Sequence, residues 1–192
     1  MTQKLITSLE KFVPFNEQET KDKELILSLL QSEENIFLRS NLTAHMTSSA
    51  WVVNKKRNKV LMAYHNIYDT WAWLGGHADG EKDLLTVALK EVQEESSLTD
   101  IRPVSTDIFS VEVLTVDGHI KKGEYVSSHL HLNITYLIEA DEAQLIQIKA
   151  DENSQIGWFL LDDGVQASNE KWFRDNVYSK LNQKLRLQKT EA

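Results

Sequence analysis

The chain of 192 residues has no cysteine, two prolines and seven glycines. Without cysteine, disulfide scaffolds, thiolate zinc sites, cysteine-ligated iron–sulfur clusters and thiol catalysis are excluded. So little proline and glycine excludes collagen-like and low-complexity chains. No apolar run approaches the roughly 18 residues of a membrane span, so no membrane partner is expected. The opening stretch MTQKLITSLEKF has no continuous apolar segment or small-residue cleavage signal, so no secretory peptide is expected. Basic residues are in deficit, with 21 Lys+Arg against 29 Asp+Glu and a formal net charge of −8. That balance argues against a nucleic-acid coat, which needs a basic surface, but admits one small phosphorylated ligand. What is present is a hydrophobic fraction of 41% and a charged fraction of 26%. This is ordinary for a globular chain that buries one core, expected in the cytoplasm.

Hydrophobic spacing predicts two helices over residues 1–33, divided at Pro14, the second starting near Asn16. Met46–Val53, the polar turn Asn54–Asn58 and Lys59–Tyr64 read as a hairpin. Thr70–Leu74 reads as a short tryptophan-rich strand, and residues 82–96 as a helix. Strands are expected over 108–117, 125–139 and 155–161. In the long one, His129, His131, Asn133 and Thr135 alternate with Leu130, Leu132, Ile134 and Tyr136, giving one polar and one apolar face. Asn169–Leu187 is expected as a closing helix, with Trp172, Val177, Leu181 and Leu185 on or near one stripe. This order predicts an α+β fold, a mixed sheet with helices on its faces, because regular β-α alternation is lacking.

Three of the seven glycines fall at 75, 76 and 80, between a predicted strand and a predicted helix. Glycine there permits positive φ and close backbone approach, and a helix N-terminus favours phosphate. On the helix, Glu91, Glu94 and Glu95 are related by i+3 and i+4 and share a face. Leu85, Leu89 and Val92 form the expected apolar stripe, with Ala88 at its edge. Like charges so grouped repel, and a hard divalent cation reverses that sign. Mg²⁺ takes oxygen ligands and typically joins one or two carboxylates to substrate phosphates. A glutamate cluster alone is more often a solvated helix face; the fixed distance from the glycine loop is what distinguishes this one.

The stretch from Gly76 to Leu98 resembles the Nudix box: Gly, five residues, Glu, seven residues, Arg-Glu, an aliphatic, any residue, Glu-Glu, any residue, Gly, an aliphatic. Gly76, Glu91, Val92, Glu94, Glu95 and Leu98 match in register. Lys82 stands for the first glutamate, Lys90 for the arginine and Ser97 for the glycine. His45–Val53 resembles the family's first core strand, and Trp158–Asp163 its Trp-Phe strand and acidic exit. The resemblance covers roughly residues 40–165. It implies a Nudix-type mixed β-sheet sandwiched between helices, in a domain over 39–192 that includes the C-terminal helix. Residues 1–38 are then an N-terminal helical extension, which caps the sheet or builds a homodimer interface; the sequence leaves both open.

By this resemblance the chain is a Mg²⁺-dependent hydrolase, with Mn²⁺ as the alternative ion. It would cleave the pyrophosphate bond of a nucleoside diphosphate linked to another moiety. Its partner would be a small nucleotide or nucleotide derivative. Glu91, Glu94 and Glu95 are the implied metal ligands. Glu91 or a loop carboxylate is the implied general base, Lys90 steadies Glu91 or Glu94, and Gly76 keeps the backbone close to the site. Glu152, six residues before Trp158, is the candidate further ligand, with Asp151 as its substitute. Lys90 keeps the charge of arginine without its fork, and Ser97 carries a cost where the helix turns left-handed. The three departures also admit a second reading, a catalytically weak or inactive nucleotide-binding module. Arg39 is a candidate phosphate contact or a surface arginine. Trp71 and Trp73 are candidates for base stacking or for core. His65, His129 and His131 are candidate substrate contacts; with no zinc-type pair spaced on a helix, histidine metal binding is not expected.

Overall fold

The computed structural model describes residues 2–32, 35–121, 123–148 and 153–190. The chain opens with α1 (Thr2–Lys11) and α2 (Glu17–Ser32). They divide at Pro14, as the sequence suggests. Asn16 caps α2, its Oδ1 accepting the Glu19 N–H at 2.9 Å, while Glu19 Oε2 accepts the Phe15 N–H at 2.7 Å. One orphan donor of the first turn and the N–H just before the cap are thereby satisfied. The sheet begins with β1 (Ala44–Asn54), β2 (Lys59–His65), β3 (Thr70–Ala72) and β4 (Leu74–His77). The β1–β2 turn is built by Asn54, whose Oδ1 accepts the N–H groups of Asn58 and Lys59. After α3 (Leu84–Ser96) come β5 (Ile101–Pro103), β6 (Ser110–Val116), the outlying hairpin β7 (His119–Lys121) and β8 (Glu124–Val126), β9 (His129–Ala140) and β10 (Asn153–Leu160).

The main sheet runs β10-β2-β1-β9-β5, with β3 on β2, β4 on β1 and β6 on β9. β1 and β9 are parallel along their length, from Ala44↔Leu130 to Asn54↔Ala140, and the other pairs are antiparallel. The sheet is therefore mixed, within an α+β architecture.

Alternation along β1 and β9 divides the core in two. Met46, Ala50, Val52, Leu132, Ile134 and Ile138 face a cluster completed by Leu5, Leu9, Ile26 and Leu30 of α1 and α2 and by Leu84, Val87, Ala88 and Val92 of α3. Trp51, Val53 and Leu137 face the other cluster, closed by α4 (Leu161–Ala167) and by the C-terminal helical segment. The helices α1 and α2 thus pack into the same core as the sheet.

Three expectations are corrected. The buried side of α3 is Leu84, Val87, Ala88 and Val92, with Leu85 and Leu89 only partly buried. The i, i+3, i+4, i+8 set wins because it lies under β1 and β4. The C-terminal helix runs unbroken but contains a π-helical turn, passing through α5 (Lys171–Phe173), the π-turn (Arg174–Tyr178) and α6 (Ser179–Thr190). Val177, Leu181 and Leu185 are fully buried, whereas Trp172 lies outside the stripe and is exposed. The short α4 falls where the sequence suggested only a strand exit.

The polar face of β9 is partly exposed at His129 and His131 and buried at Asn133 and Thr135. Asn133 accepts from Thr47 Oγ1 at 3.0 Å and from Ser49 Oγ at 2.9 Å, and donates to Glu112 Oε2 at 3.0 Å. Glu112 in turn pairs with Lys180 at 2.9 Å, and Lys184 and Lys180 pair with Glu19 at 2.6 and 3.4 Å. Lys184 also lies over the Phe12 ring at 4.9 Å. Burial pushes the Glu19 carboxyl up, but Lys184 and Lys180 overcome this and hold it below its ordinary value. This network ties α2, β6 and α6 together.

Candidate active site

Strand β4 delivers the glycine loop to α3. Its backbone pairs with β1 through Thr47↔His77, Ser48↔Gly76 and Ser49↔Gly75. Gly76 is required by close approach: a Cβ there would lie 2.5 Å from the Glu91 carboxyl carbon and from Oε1. The Glu91 carboxylate thus rests directly on the strand backbone. Positive φ occurs instead at Asp79 (46°) and Gly80 (93°), where the chain turns away from the sheet. Asp79 is held by Arg39, whose Nε and Nη2 donate to its two carboxylate oxygens at 2.7 and 2.6 Å. This two-pronged pair fixes the loop's left-handed corner to the segment preceding β1.

At the start of α3 the chain supplies carboxylates of its own. Asp83 caps the helix by accepting the Thr86 N–H, and Glu81 Oε1 accepts the N–H groups of Lys82 and Asp83 at 2.7 and 2.8 Å. The protein's own carboxylates take the anion position at this positive helix end. Lys82, where the box pattern has its first glutamate, lies 5.9 Å from the centre of the Phe37 ring. At the other end, Ser97 adopts φ 60°, ψ 13° and its N–H donates to the Gln93 carbonyl at 2.9 Å. That is the left-handed cap anticipated from its place in the box.

Glu91 and Glu95 are half-buried and Glu94 is exposed, all on the last two turns of α3. Lys90 Nζ lies 3.5 Å from Glu94 Oε1, one helical turn on. The structure therefore brings Gly76, Lys90, Glu91, Glu94 and Glu95 into one region and places Arg39 at the loop's rim, engaged with Asp79. Glu152 and Asp151 lie outside the described residues. The helix face fits a hard divalent cation: the side chains are carboxylates, and the missing Cβ at Gly76 leaves room for one against the strand. Trp71 stacks edge-on against Phe159 and Tyr64, and Trp73 against Phe173 and Tyr178. Both tryptophans belong to the aromatic packing on the sheet's other face.

One group was not anticipated. His45, His77 and His131 place a ring nitrogen each within 4.8 Å of the others. Helical spacing could not show this, because the three residues lie on β1, β4 and β9 and meet only through strand register. The sequence signals available were the alternating His129–His131 pair and the histidine directly after the double glycine. Burial lowers the pKa of His45, a fall opposed by the Asn41 carbonyl and by Asp79 and reinforced by His129 and Arg39.

Comparison with known proteins bears on this geometry. The family model described as NUDIX domain matches residues 43–181. A search of curated proteins gave no significant sequence match. Among solved structures, the chain is similar to a Caenorhabditis elegans Ap4A hydrolase in a binary complex. The TM-score is 0.52 at 15% identity, covering 77% of this chain and 98% of that one. It is also similar to a NUDIX-family hydrolase from Clostridium perfringens, with TM-score 0.51, 18% identity and coverage of 74% and 97%. At these identities the structural likeness speaks for the fold, while the family match spans most of the chain and includes the glycine loop and the glutamate helix. The protein is therefore a member of the Nudix family.

Proposed function

We propose that the chain is a divalent-metal-dependent pyrophosphohydrolase that uses Mg²⁺ to cleave a nucleoside diphosphate linked to another moiety. The observation that carries this reading is the contact between Gly76 and Glu91, together with Glu94 and Glu95 on the same helix face. In the Nudix family this loop and helix form the metal-binding catalytic element, and Glu91, Glu94 and Glu95 would hold the cation. A cation there neutralises charge on phosphate oxygens and lowers the pKa of water.

The remaining roles fall to the chain itself. Water attacks phosphorus, the new P–O bond forms and the bridging P–O bond breaks. The water's proton passes to Glu91, whose carboxylate is held against the β4 backbone, and then to solvent. Lys90 restrains Glu94 from one turn away, as a point charge and not a fork. Arg39 positions the loop through Asp79, and a phosphate reaching that rim would compete with Asp79 for its guanidinium. Glu152 or Asp151 is assigned as a further carboxylate ligand from the segment before β10.

The experiment is a screen of nucleotide sugars, dinucleotides and nucleoside triphosphates with Mg²⁺, Mn²⁺ or EDTA, read by release of nucleoside monophosphate or phosphate ester. Product formed with Mg²⁺ and abolished by EDTA is the expected result. Tight nucleotide binding by calorimetry without product would instead establish the non-catalytic module to which Lys82, Lys90 and Ser97 point.

A further inference from the structure

Four of the six histidines gather at one end of the sheet. His45 on β1 is the direct register partner of His131 on β9, and His77 on β4 pairs with Thr47, two residues along from His45. His129 precedes His131 by two residues and so shares its face. Its ring stacks on His45 with centroids 4.9 Å apart. His77 and His131 lie at 4.9 Å and His45 and His77 at 5.2 Å. Three adjacent strands therefore present imidazoles to a common centre.

The nitrogen chemistry is specific. His45 Nδ1 lies 3.0 Å from the Asn41 carbonyl, so it carries the proton and donates it there. Nε2 is then the lone-pair nitrogen, yet it is buried without a hydrogen-bond partner in a residue only 4% exposed. His129 repeats the pattern, with Nδ1 2.8 Å from the Ser127 carbonyl and its lone pair on Nε2. A backbone carbonyl that fixes the tautomer and aims the opposite nitrogen is the usual outer support of a metal-binding histidine. His129 Nε2 accepts a hydrogen bond from His131 Nε2 at 3.2 Å, which leaves the lone pair of His131 on Nδ1. An all-imidazole set favours borderline transition ions over Mg²⁺ or Ca²⁺, which require oxygen. His77, His129 and His131 are partly exposed, which leaves a path from solvent.

We propose that His45, His77 and His131 bind one transition-metal dication of the Zn²⁺ class, with His129 supporting His131 from outside the ligand set. The site is separate from the glutamate face of α3. Gly76 and His77 are consecutive on β4, so they face opposite sides of the sheet. The direction a Gly76 Cβ would take leads to Glu91, and His77 points the other way. The bound ion ties β4, β1 and β9 together one residue beyond the glycine that seats Glu91. The site does not depend on the hydrolase reading.

The test is a titration of the tag-free, metal-stripped full chain carrying Glu91→Gln, Glu94→Gln and Glu95→Gln, in excess Mg²⁺. Zn²⁺ binding is read by calorimetry and Co²⁺ binding by visible absorption. One equivalent of Zn²⁺, a raised Tm and a Co²⁺ spectrum of nitrogen-ligated tetrahedral character are expected. Adding His77→Gln or His131→Gln, with folding checked by circular dichroism, should weaken binding at least about tenfold. No bound Zn²⁺, or equal affinity in both histidine variants, overturns the site. Should the triple variant not fold, the parent chain in excess Mg²⁺ decides. One fewer Zn²⁺ in His77→Gln than in the parent supports the proposal, and equal stoichiometry overturns it.

Discussion

The two faces of the sheet handle charge in opposite ways. On the face behind β9, Glu19 and Glu112 are completely buried and are neutralised by Lys180 and Lys184 from α6. On α3, Glu91, Glu94 and Glu95 are crowded along one helix face, half-buried or exposed, with Lys90 at its edge. The first arrangement completes its charge from within and serves the fold. The second offers the oxygen ligands that a hard divalent cation takes, which under the proposed function would let a chain of net charge −8 receive an anionic substrate.

Breaking the first arrangement should cost stability before anything else. Glu19→Ala leaves Lys180 and Lys184 buried beside a lost partner and is expected to destabilise by about 3–5 kcal/mol, measurable by urea unfolding. Breaking the second should cost turnover with the fold intact. Glu91→Gln is expected to lower kcat about a hundredfold or more, with an unchanged circular dichroism spectrum. Gly76→Ala places a methyl group 2.5 Å from the Glu91 carboxyl. The carboxylate must move, and turnover should fall by about tenfold or more, because catalysis is sensitive to displacements of about 1 Å.

A pH profile sharpens the contrast. Glu19 has a folded-state pKa below its ordinary 4.5, because Lys184 and Lys180 outweigh burial. The unfolded chain therefore takes up this proton first as pH falls. The stabilisation is complete above the unfolded value and is lost as pH drops through the folded one. Tm should decline below about pH 4.5, and Glu19→Gln should flatten that part of the decline. The smallest effect is expected at Ser97, whose φ of 60° suits glycine. Ser97→Gly should stabilise by about 0.5–1 kcal/mol, read as a small rise in Tm.

Local signals carried the parts that depend on local physics. The Pro14 break, the Asn16 cap, the Asn54–Asn58 turn and the helix carrying Glu91, Glu94 and Glu95 all follow from residues within a few positions of one another. The left-handed Ser97 was legible from its place in the box. What required the third dimension was pairing across strands. His45 meets His131 because β1 and β9 run parallel in that register, and no spacing along the chain encodes it. The polar side of β9 has the right period but gives no sign of burial, because the lysines that cover it lie on α6, some fifty residues away. At the start of α3, Glu81 folds back onto the N–H groups of Lys82 and Asp83, and Asp83 caps Thr86, contacts that the glycines before the helix do not announce. The C-terminal helix departs from its apolar stripe at Trp172, and periodicity alone could not show the π-turn that follows.

The central claim is that the α3 glutamates form a metal-dependent hydrolytic centre. Its most direct test is turnover of the best substrate from the nucleotide screen as a function of Mg²⁺ concentration, in the parent chain and in Glu94→Gln. Turnover in the parent should depend saturably on Mg²⁺, and a correctly folded Glu94→Gln chain should show strongly reduced turnover. Equal turnover in both chains, or turnover that persists in EDTA, would contradict it.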